Sequence, residues 1–170
     1  MKTTLKIFTL TVAIFAFSNI SFGQNTASAT SEAGARIITP LTIENDHGLE
    51  FGDIIAGENT ITINTDNSRE ATNSDALVVT TGVTRTPQAA QFTVKGESNL
   101  SYSVVIDGSA TLTQVDGTAT MTIDNFQNTA TGTLSASGSE VFTVGADLTV
   151  GATQPSGVYE GEFTVTVTYE

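Results

Sequence analysis

The C-terminal stretch of the sequence alternates apolar and polar residues with a period of two. Over Val158–Tyr169 one face carries the large apolar side chains Tyr159, Phe163, Val165, Val167 and Tyr169. An amphipathic helix has a period of about 3.6 residues, whereas a half-buried β-strand has a period of two. We therefore predict one strand over Val158–Tyr169. Its apolar face should be shielded by an opposing sheet or by a neighbouring molecule.

Short runs rich in Val, Ile, Thr and Phe precede this strand, separated by Gly, Asn, Asp and Ser. Strands at this frequency predict an all-β sandwich or barrel. Pro40 interrupts the first run and cannot donate to a ladder, so that strand should lie at an edge or change sheets there. The predicted strands are Arg36–Glu44, Leu49–Ile54, Thr60–Asn64, Ala76–Thr81, Ala89–Lys95, Leu100–Ile106, Ala110–Val115, Ala119–Phe126, Val141–Val144 and Leu148–Val150.

Two Asp-Gly pairs predict tight hairpin turns in the middle of the chain, because Asp-Gly suits the turns that join antiparallel strands. The first is Asp107-Gly108 and the second is Asp116-Gly117. The three strands that they connect should form a meander. Its core-facing residues should be Leu100, Tyr102, Val104, Ile106, Leu112, Met121 and Ile123.

The first residues have the pattern of a secretory signal peptide. Two lysines precede a short apolar stretch over Ile7–Phe17, and small residues at Ser21 and Gly23 predict cleavage before Gln24. We predict a signal peptide over residues 1–23, a flexible N-terminal arm over residues 24–34 and one β-sandwich domain over residues 35–170. The protein should be secreted, reaching the extracellular space or the cell surface through the periplasm.

The predicted mature chain is strongly acidic. It keeps four basic residues against 18 acidic ones, a formal charge of −14. Such a chain repels nucleic acids and anionic membranes. The sequence has no Cys, so it cannot form disulfides or zinc–thiolate sites. It also has no phosphate-binding glycine loop, and we expect no cofactor.

Candidates for catalysis are few. His47 is the only histidine and lies in the loop-like stretch ENDHG, with no local motif for a Ser-His-Asp triad. Glu160 and Glu162 should share one face of the terminal strand, roughly 6.5–7 Å apart, near the spacing of glycosidase carboxylates. No aromatic residue flanks them on that face to bind a sugar. We therefore expect a non-enzymatic protein.

Two binding sites stay open as alternatives. Hard cations prefer several oxygen ligands, so the acidic loop with Glu44, Asp46, Glu50 and Asp53 is a candidate calcium site. Regular threonine rows on a strand face can bind ice or a mineral surface, although threonine is also simply a good strand former. The two candidate rows are Thr118, Thr120 and Thr122, and Thr164, Thr166 and Thr168.

Four short motifs extend over most of the predicted mature chain. They are RIITPLTI (Arg36–Ile43), LEFGDIIAG (Leu49–Gly57), QFTVKG (Gln91–Gly96) and PSGVYEGEFTVTVTYE (Pro155–Glu170). Together they resemble a secreted bacterial family of domains of unknown function, close to spore coat protein U and to chaperone–usher pilins. The resemblance implies an immunoglobulin-like, pilin-like antiparallel β-sandwich and a structural or adhesive role at the cell surface.

The end of the chain resembles pilin subunits in two positions. Gly157 is fourteenth from the C-terminus and Tyr169 is second from last. In pilins this strand borders a groove that a periplasmic chaperone fills first and the N-terminal arm of the next subunit fills later. The resemblance implies self-association or a chaperone partner. The implied core or contact residues are Gly157, Tyr159, Phe163, Val165, Val167 and Tyr169, and the implied donor arm contains Ala27, Ala29 and Ile37.

The sequence departs from pilins in two respects. The disulfide that links the early strands of many pilins cannot form here, and the arm TASATSEAG offers the small residues Ala27 and Ala29 where bulky alternating residues are expected. The terminal strand is therefore either fully paired within the monomer or has an edge that a partner strand uses. The alternative function is a monomeric extracellular module that binds carbohydrate, calcium or a surface.

Overall fold

The computed structural model of the protein describes residues 26–77 and 85–170. The chain divides into two compact units, Met1–Arg36 and Ile37–Glu170. In the first unit, residues 26–36 are exposed and have no regular secondary structure. The predicted signal peptide lies outside the described residues. No helix in the described ranges is long and apolar enough to cross a membrane.

The second unit has the predicted all-β fold, built from antiparallel strands. Its ten described strands are β1 (Thr42–His47), β2 (Asn59–Ile63), β3 (Arg69–Ala71), β4 (Ala90–Lys95), β5 (Tyr102–Ile106), β6 (Ser109–Gln114), β7 (Thr120–Asn128), β8 (Ser139–Val150), β9 (Tyr159–Glu160) and β10 (Val165–Tyr169). The only helical element in the described part is one 3-10 turn, Ser74–Ala76.

Eight of the described strands form the large sheet, in the order β1-β4-β8-β7-β6-β9, with β2 joined to β8 and β3 joined to β2. The twelve-residue β8 organises it, because its first half pairs with β4 and its second half pairs with β2. The sequence predicts two separate strands here, and the structure corrects this to one. The backbone of Ile63 approaches β8 closely at Gly145, and a Cβ there would overlap the carbonyl oxygen of Ile63. The strand can therefore continue through this position only because the residue is glycine.

Of the described strands, only β5 and β10 form the second sheet. Tyr102, Val104 and Ile106 of β5 face the large sheet beside Val165, Val167 and Tyr169 of β10. Together they cover a buried cluster that comprises Ala90, Phe92, Val94, Tyr102, Leu134, Phe142 and Val144. The two sheets therefore form a sandwich in which a narrow layer covers part of a wide one.

A second buried cluster fills the other half of the large sheet. Its main members are Phe51, Ile61, Ile63, Ile123, Leu148 and Val150. Here the covering layer is a loop, because Phe51 and Ile54 belong to a segment that has only isolated bridges, Glu50–Gln88 and Ile54–Leu77. The predicted strand Leu49–Ile54 is therefore wrong, since this segment covers the core without joining a ladder.

The predicted terminal strand is also wrong in one respect, because the structure divides Val158–Tyr169 between the two sheets. β9 pairs with β6 in the large sheet, whereas β10 pairs with β5 in the small one. The chain changes sheets over residues 161–164. Gly161 allows this change, because a Cβ there would overlap the carbonyl oxygen of Thr111 in β6.

The two predicted hairpins have different outcomes. Asp116-Gly117 joins β6 to β7, and Gln114 N–H donates to the carbonyl of Ala119 across the turn, so this hairpin is confirmed. Asp107-Gly108 does not form a hairpin, because β5 and β6 belong to different sheets. Asp107 instead exchanges hydrogen bonds with Thr164, through its N–H and its carboxylate.

The first predicted strand is shifted along the chain. β1 starts at Thr42, two residues after Pro40, and lies at the edge of the large sheet, as the proline predicts. Within the predicted strand Ala76–Thr81, Ala76 ends the 3-10 turn and residues 78–81 lie outside the described ranges. In β7 an irregularity near Asn125, at φ 51°, brings Ile123 and Phe126 to the same face.

Candidate functional site

The C-terminal strand β10 has one paired edge and one open edge. It pairs only with β5 among the described strands. Asp107 N–H donates to Thr164 C=O, and Glu170 N–H donates to Ser101 C=O. Because antiparallel residues alternate in direction, the backbone groups of Val165, Val167 and Tyr169 point to the open edge. An open edge of this kind is a template for another strand.

The inward face of β10 is half buried. Val165, Val167 and Tyr169, together with Phe163 just before the strand, alternate with exposed polar residues, and each packs against the core without being fully covered. Phe163 makes ring contacts with Phe126 at 4.9 Å and with Phe92 at 6.3 Å between centroids. Three other half-buried apolar residues, Leu41, Ile43 and Leu49, contact the same cluster from the β1 side.

The hydroxyl of Tyr169 closes one end of this region. It donates to the carbonyl oxygen of Thr39 at 2.9 Å and accepts from Glu97 N–H at 2.6 Å. Thr39 N–H and its hydroxyl donate to the Glu97 carboxylate at 3.1 and 3.0 Å. Tyr169 thus joins the end of β10 to the segment before β1 and to the turn after β4.

The predicted contact residues do not all lie together. Tyr159 belongs to β9, where it pairs with Gln114 of β6 and donates from its hydroxyl to Pro155 C=O at 2.7 Å. Gly157 packs beside the Gln114 side chain, whose amide donates to Ser156 C=O at 3.1 Å. Tyr159 therefore belongs to the large sheet and Gly157 to the bend that precedes it, whereas Val165, Val167 and Tyr169 belong to the small sheet.

The residues of the predicted donor arm are accessible. Ala27 and Ala29 are exposed in the first unit. Ile37 begins the second unit and its side chain is 96% exposed, and that of Ile38 is 39% exposed. Two adjacent isoleucines on a surface forgo most of the stabilisation that burial would give them.

A cleft of about 1060 Å³ opens between loop 48–56 and segment 154–163. Its floor includes Leu112, Met121 and Ile123. Arg85 spans its rim, because its guanidinium contacts Glu50 at 2.7 Å and Glu160 at 3.0 Å. The hydrogen bond to Glu50, with further help from Glu160, raises the pKa of Arg85.

No pattern in the sequence predicts this cleft or the role of Arg85. The two carboxylates that Arg85 contacts are 110 residues apart in the chain, so no local spacing indicates the contact. The clearest signal in the sequence is the scarcity of basic residues. In so acidic a chain each Lys or Arg has several carboxylates with which it could form an ion pair.

Some of the candidate metal and catalytic residues come together, because Glu50, Asp53, Glu160 and Glu162 all line this cleft. Asp46 accepts from the Thr93 hydroxyl at 2.7 Å, and Glu50 pairs with Arg85. Within the described ranges, no three acidic or histidine side chains form a group that could hold a metal ion. His47 is exposed at the end of β1 rather than in a loop. Glu160 is engaged by Arg85, and Glu162 is exposed.

The threonine pattern differs from the predicted one. Thr164, Thr166 and Thr168 are exposed on the outer face of the small sheet, as the alternation predicts. On the large sheet, paired threonines instead form a row across neighbouring strands. This row contains Thr60, Thr149, Thr122 and Thr111.

Comparison with known protein families gives one match. Residues 41–169 match a family described as Domain of unknown function (DUF4402). The matched range begins immediately before β1 and ends at the last residue of β10, so it contains all ten strands. No curated protein matches the sequence.

Proposed function

This chain belongs to the DUF4402 family, and we propose that it is a non-enzymatic structural subunit whose contacts form by β-strand addition at the open edge of β10. A partner strand would extend the small sheet from two strands to three. The subunit would act outside the cell, in a pilus-like, coat-like or adhesive assembly. Export is supported by the predicted signal peptide over residues 1–23.

The observation that carries this proposal is the combination of an open edge with a half-buried apolar face. The open edge offers the backbone groups of Val165, Val167 and Tyr169. Fully burying an aliphatic side chain stabilises by about 1.5–3 kcal/mol, so covering the remaining surface of the half-buried residues would contribute roughly 1 kcal/mol each. Backbone pairing and burial would then favour the same bound strand.

The edge lacks the features that usually block strand addition. Natural sheets protect their edges with Lys, Pro or β-bulges. None of these occurs in β10, which pairs with β5 in an unbroken register. The exposed side chains of β10 are the neutral residues Thr166 and Thr168. A strand could therefore approach without meeting a charge or a break in the ladder.

The resemblance to pilins suggests which strand would bind. In pilins the C-terminal strand borders the groove, and the N-terminal arm of another subunit fills it. The corresponding arm here contains Ala27, Ala29, Ile37 and the adjacent Ile38, all of them exposed. A second copy of the chain would thus supply the partner strand. The small alanine side chains of this strand suit a shallow groove, and its two isoleucines would make the largest apolar contacts.

A lysine placed on the β10 edge tests the proposal. Thr166→Lys adds a charge on the outer face of β10 without altering the core, and Thr122→Lys adds the same charge on β7, which is paired along both edges. We expect Thr166→Lys to lower self-association and Thr122→Lys to leave it unchanged, as measured by analytical ultracentrifugation. Equal association of both variants, or a wild-type protein that is monomeric at all concentrations, would contradict self-assembly through this edge.

A peptide with the sequence of residues 25–38 tests the donor arm. We expect it to raise the thermal unfolding temperature of the protein, because a ligand that binds only the folded state stabilises it. The matched control peptide has Ser in place of Ile37 and Ile38. If neither peptide changes the unfolding temperature, or both change it equally, the arm is not the partner strand.

A further inference from the structure

The floor and the walls of the cleft between loop 48–56 and segment 154–163 differ in chemistry. Leu112, Met121, Ile123, Leu148 and Val150 form an apolar floor. Leu112 and Met121 are half exposed there, whereas the other three are buried. The volume of about 1060 Å³ is at the upper end of the range for ligand sites, which bind mainly through apolar contacts.

The walls of the cleft carry an excess of negative charge. Four carboxylates line it, those of Glu50, Asp53, Glu160 and Glu162, against the guanidinium of Arg85 on the rim and that of Arg69, which lies next to Asp53 outside the lining. Arg85 already contacts Glu50 and Glu160. Glu162 is exposed, so its charge is available to a ligand at the rim. An anionic ligand would be repelled, and a cationic one would be attracted.

The cleft also borders an open strand edge. The two-residue β9 ends the order of the large sheet, and among the described strands it pairs only with β6. Tyr159 and Glu160 of β9 both line the cleft. An extended peptide could therefore bind β9 through its backbone while its side chains reach the apolar floor.

We propose that this cleft binds an extended cationic polypeptide segment, with apolar side chains on the floor and Lys or Arg side chains at the carboxylate rim. The partner is identified by three properties of the cleft: an apolar floor, a net negative wall and an open backbone edge. A compact neutral ligand would use only the first of these. The cleft shares Phe163 with the half-buried face beside β10, but its lining does not include Val165, Val167 or Tyr169, and the proposal does not depend on self-assembly.

A labelled peptide of alternating Val and Lys, about six residues long and roughly 20 Å when extended, is the probe. Fluorescence anisotropy with the purified protein measures its affinity beside two controls, one with Glu in place of Lys and one with Ser in place of Val. We expect the Val–Lys peptide to bind most tightly. Its affinity should fall when the ionic strength rises from about 0.1 to 1 M, because the screening length then falls from about 10 to 3 Å.

Two pairs of variants locate the site. Glu162→Gln should weaken binding of the Val–Lys peptide about two- to fivefold. Its control, Glu44→Gln, removes the same charge from exposed β1. Leu112→Ala should weaken binding about tenfold, and its control is Val105→Ala, since Val105 is 64% exposed on the outer face of β5.

Several outcomes would overturn the proposal. One is that none of the three peptides binds. Another is that the Glu or Ser control peptide binds as tightly as the Val–Lys peptide. A third is that Glu162→Gln weakens peptide binding no more than Glu44→Gln does. Because Glu162 is exposed, its substitution should not impair folding, so this test remains valid even if Leu112→Ala fails to fold. If only Thr166→Lys weakens binding, the peptide binds β10 and not the cleft.

Discussion

The hydroxyl of Tyr169 donates a hydrogen bond to the carbonyl oxygen of Thr39, which is 130 residues away in the chain and 2.9 Å away in space. The same oxygen accepts from Glu97 N–H. One side chain at the end of β10 therefore fixes the segment that leads into β1. These two strands contribute half-buried apolar residues to the same cluster, Ile43 from β1 and Val165, Val167 and Tyr169 from β10.

Replacing Tyr169 by Phe should lower the free energy of unfolding by about 1–2 kcal/mol. The ring remains, but two hydrogen bonds are lost, and each contributes about 0.5–1.5 kcal/mol. Urea denaturation measures the change. The control is Tyr159→Phe, because the Tyr159 hydroxyl bonds only within its own turn, to Pro155 C=O. A loss no larger for Tyr169→Phe than for Tyr159→Phe would show that the Thr39 contact adds no stability.

Tyr102 is expected to make stability depend on alkaline pH. Its side chain is 1% exposed, and its hydroxyl donates to the Glu140 carboxylate at 2.9 Å. Burial, followed by this hydrogen bond and the nearby negative charge, raises the pKa of Tyr102 above its usual value. Above about pH 10 the unfolded chain loses the tyrosine proton while the folded chain keeps it. The unfolded state then binds fewer protons, so stability falls as pH rises.

Urea denaturation of the wild type and of Tyr102→Phe measures the free energy of unfolding between about pH 8 and pH 11. This range spans the usual tyrosine pKa of about 10. The variant should be less stable at pH 8 by about 1–2 kcal/mol, because the charge-assisted hydrogen bond is lost. It should also show a shallower decline above pH 10. An identical decline in both proteins would assign the alkaline effect to other groups.

The alternation of side chains was predictable because burial follows the two-residue period of a strand. The sequence correctly predicts which face of residues 163–169 turns inward, and it predicts the Asp116-Gly117 hairpin. It fails at Asp107-Gly108, where the same dipeptide begins a change of sheet. A dipeptide encodes a local turn, whereas the choice between a hairpin and a crossing depends on Thr164, which is distant in the chain.

The candidate site was predictable only in part, for the same physical reason. The apolar residues of β10 follow from local alternation, but the open edge follows from strand order, which no local pattern gives. The cleft was missed because its floor and walls come from separate parts of the sequence. Gly161 shows most clearly why local alternation is insufficient. It continues the period-two pattern of the sequence, yet β9 ends at Glu160, immediately before it.

Asn59 is a buried polar residue that should contribute strongly to stability. It is 6% exposed, donates to Asn73 C=O at 2.8 Å and accepts from Asn73 N–H at 3.0 Å. Removing both bonds leaves two partly buried backbone groups without these partners, at a cost of about 1–3 kcal/mol for each group that remains unsatisfied. We expect Asn59→Ala to lower the free energy of unfolding by about 2–3 kcal/mol in urea denaturation.

The control for Asn59 is Asn45→Ala. Asn45 is exposed on β1 and donates to His47 C=O at 2.9 Å. Surface substitutions of this kind usually change stability by less than about 0.5 kcal/mol. If the two variants lose the same free energy, the Asn59–Asn73 pair does not hold loop 72–77 against the sheet.

Gly161 should tolerate no side chain, because it lies where the chain leaves β9 for β10. A Cβ at this position would overlap the carbonyl oxygen of Thr111, a backbone atom of β6 that cannot turn away as a side chain can. Gly161→Ala should therefore separate β9 from β6 and lower the free energy of unfolding by about 1–3 kcal/mol, the range for overpacking. The control is Gly108→Ala, where a Cβ would meet no atom within 4 Å. Urea denaturation compares the stability of the two variants. If Gly161→Ala is as stable as Gly108→Ala, β9 and β6 are not in close contact at this position, and the change of sheet does not depend on glycine.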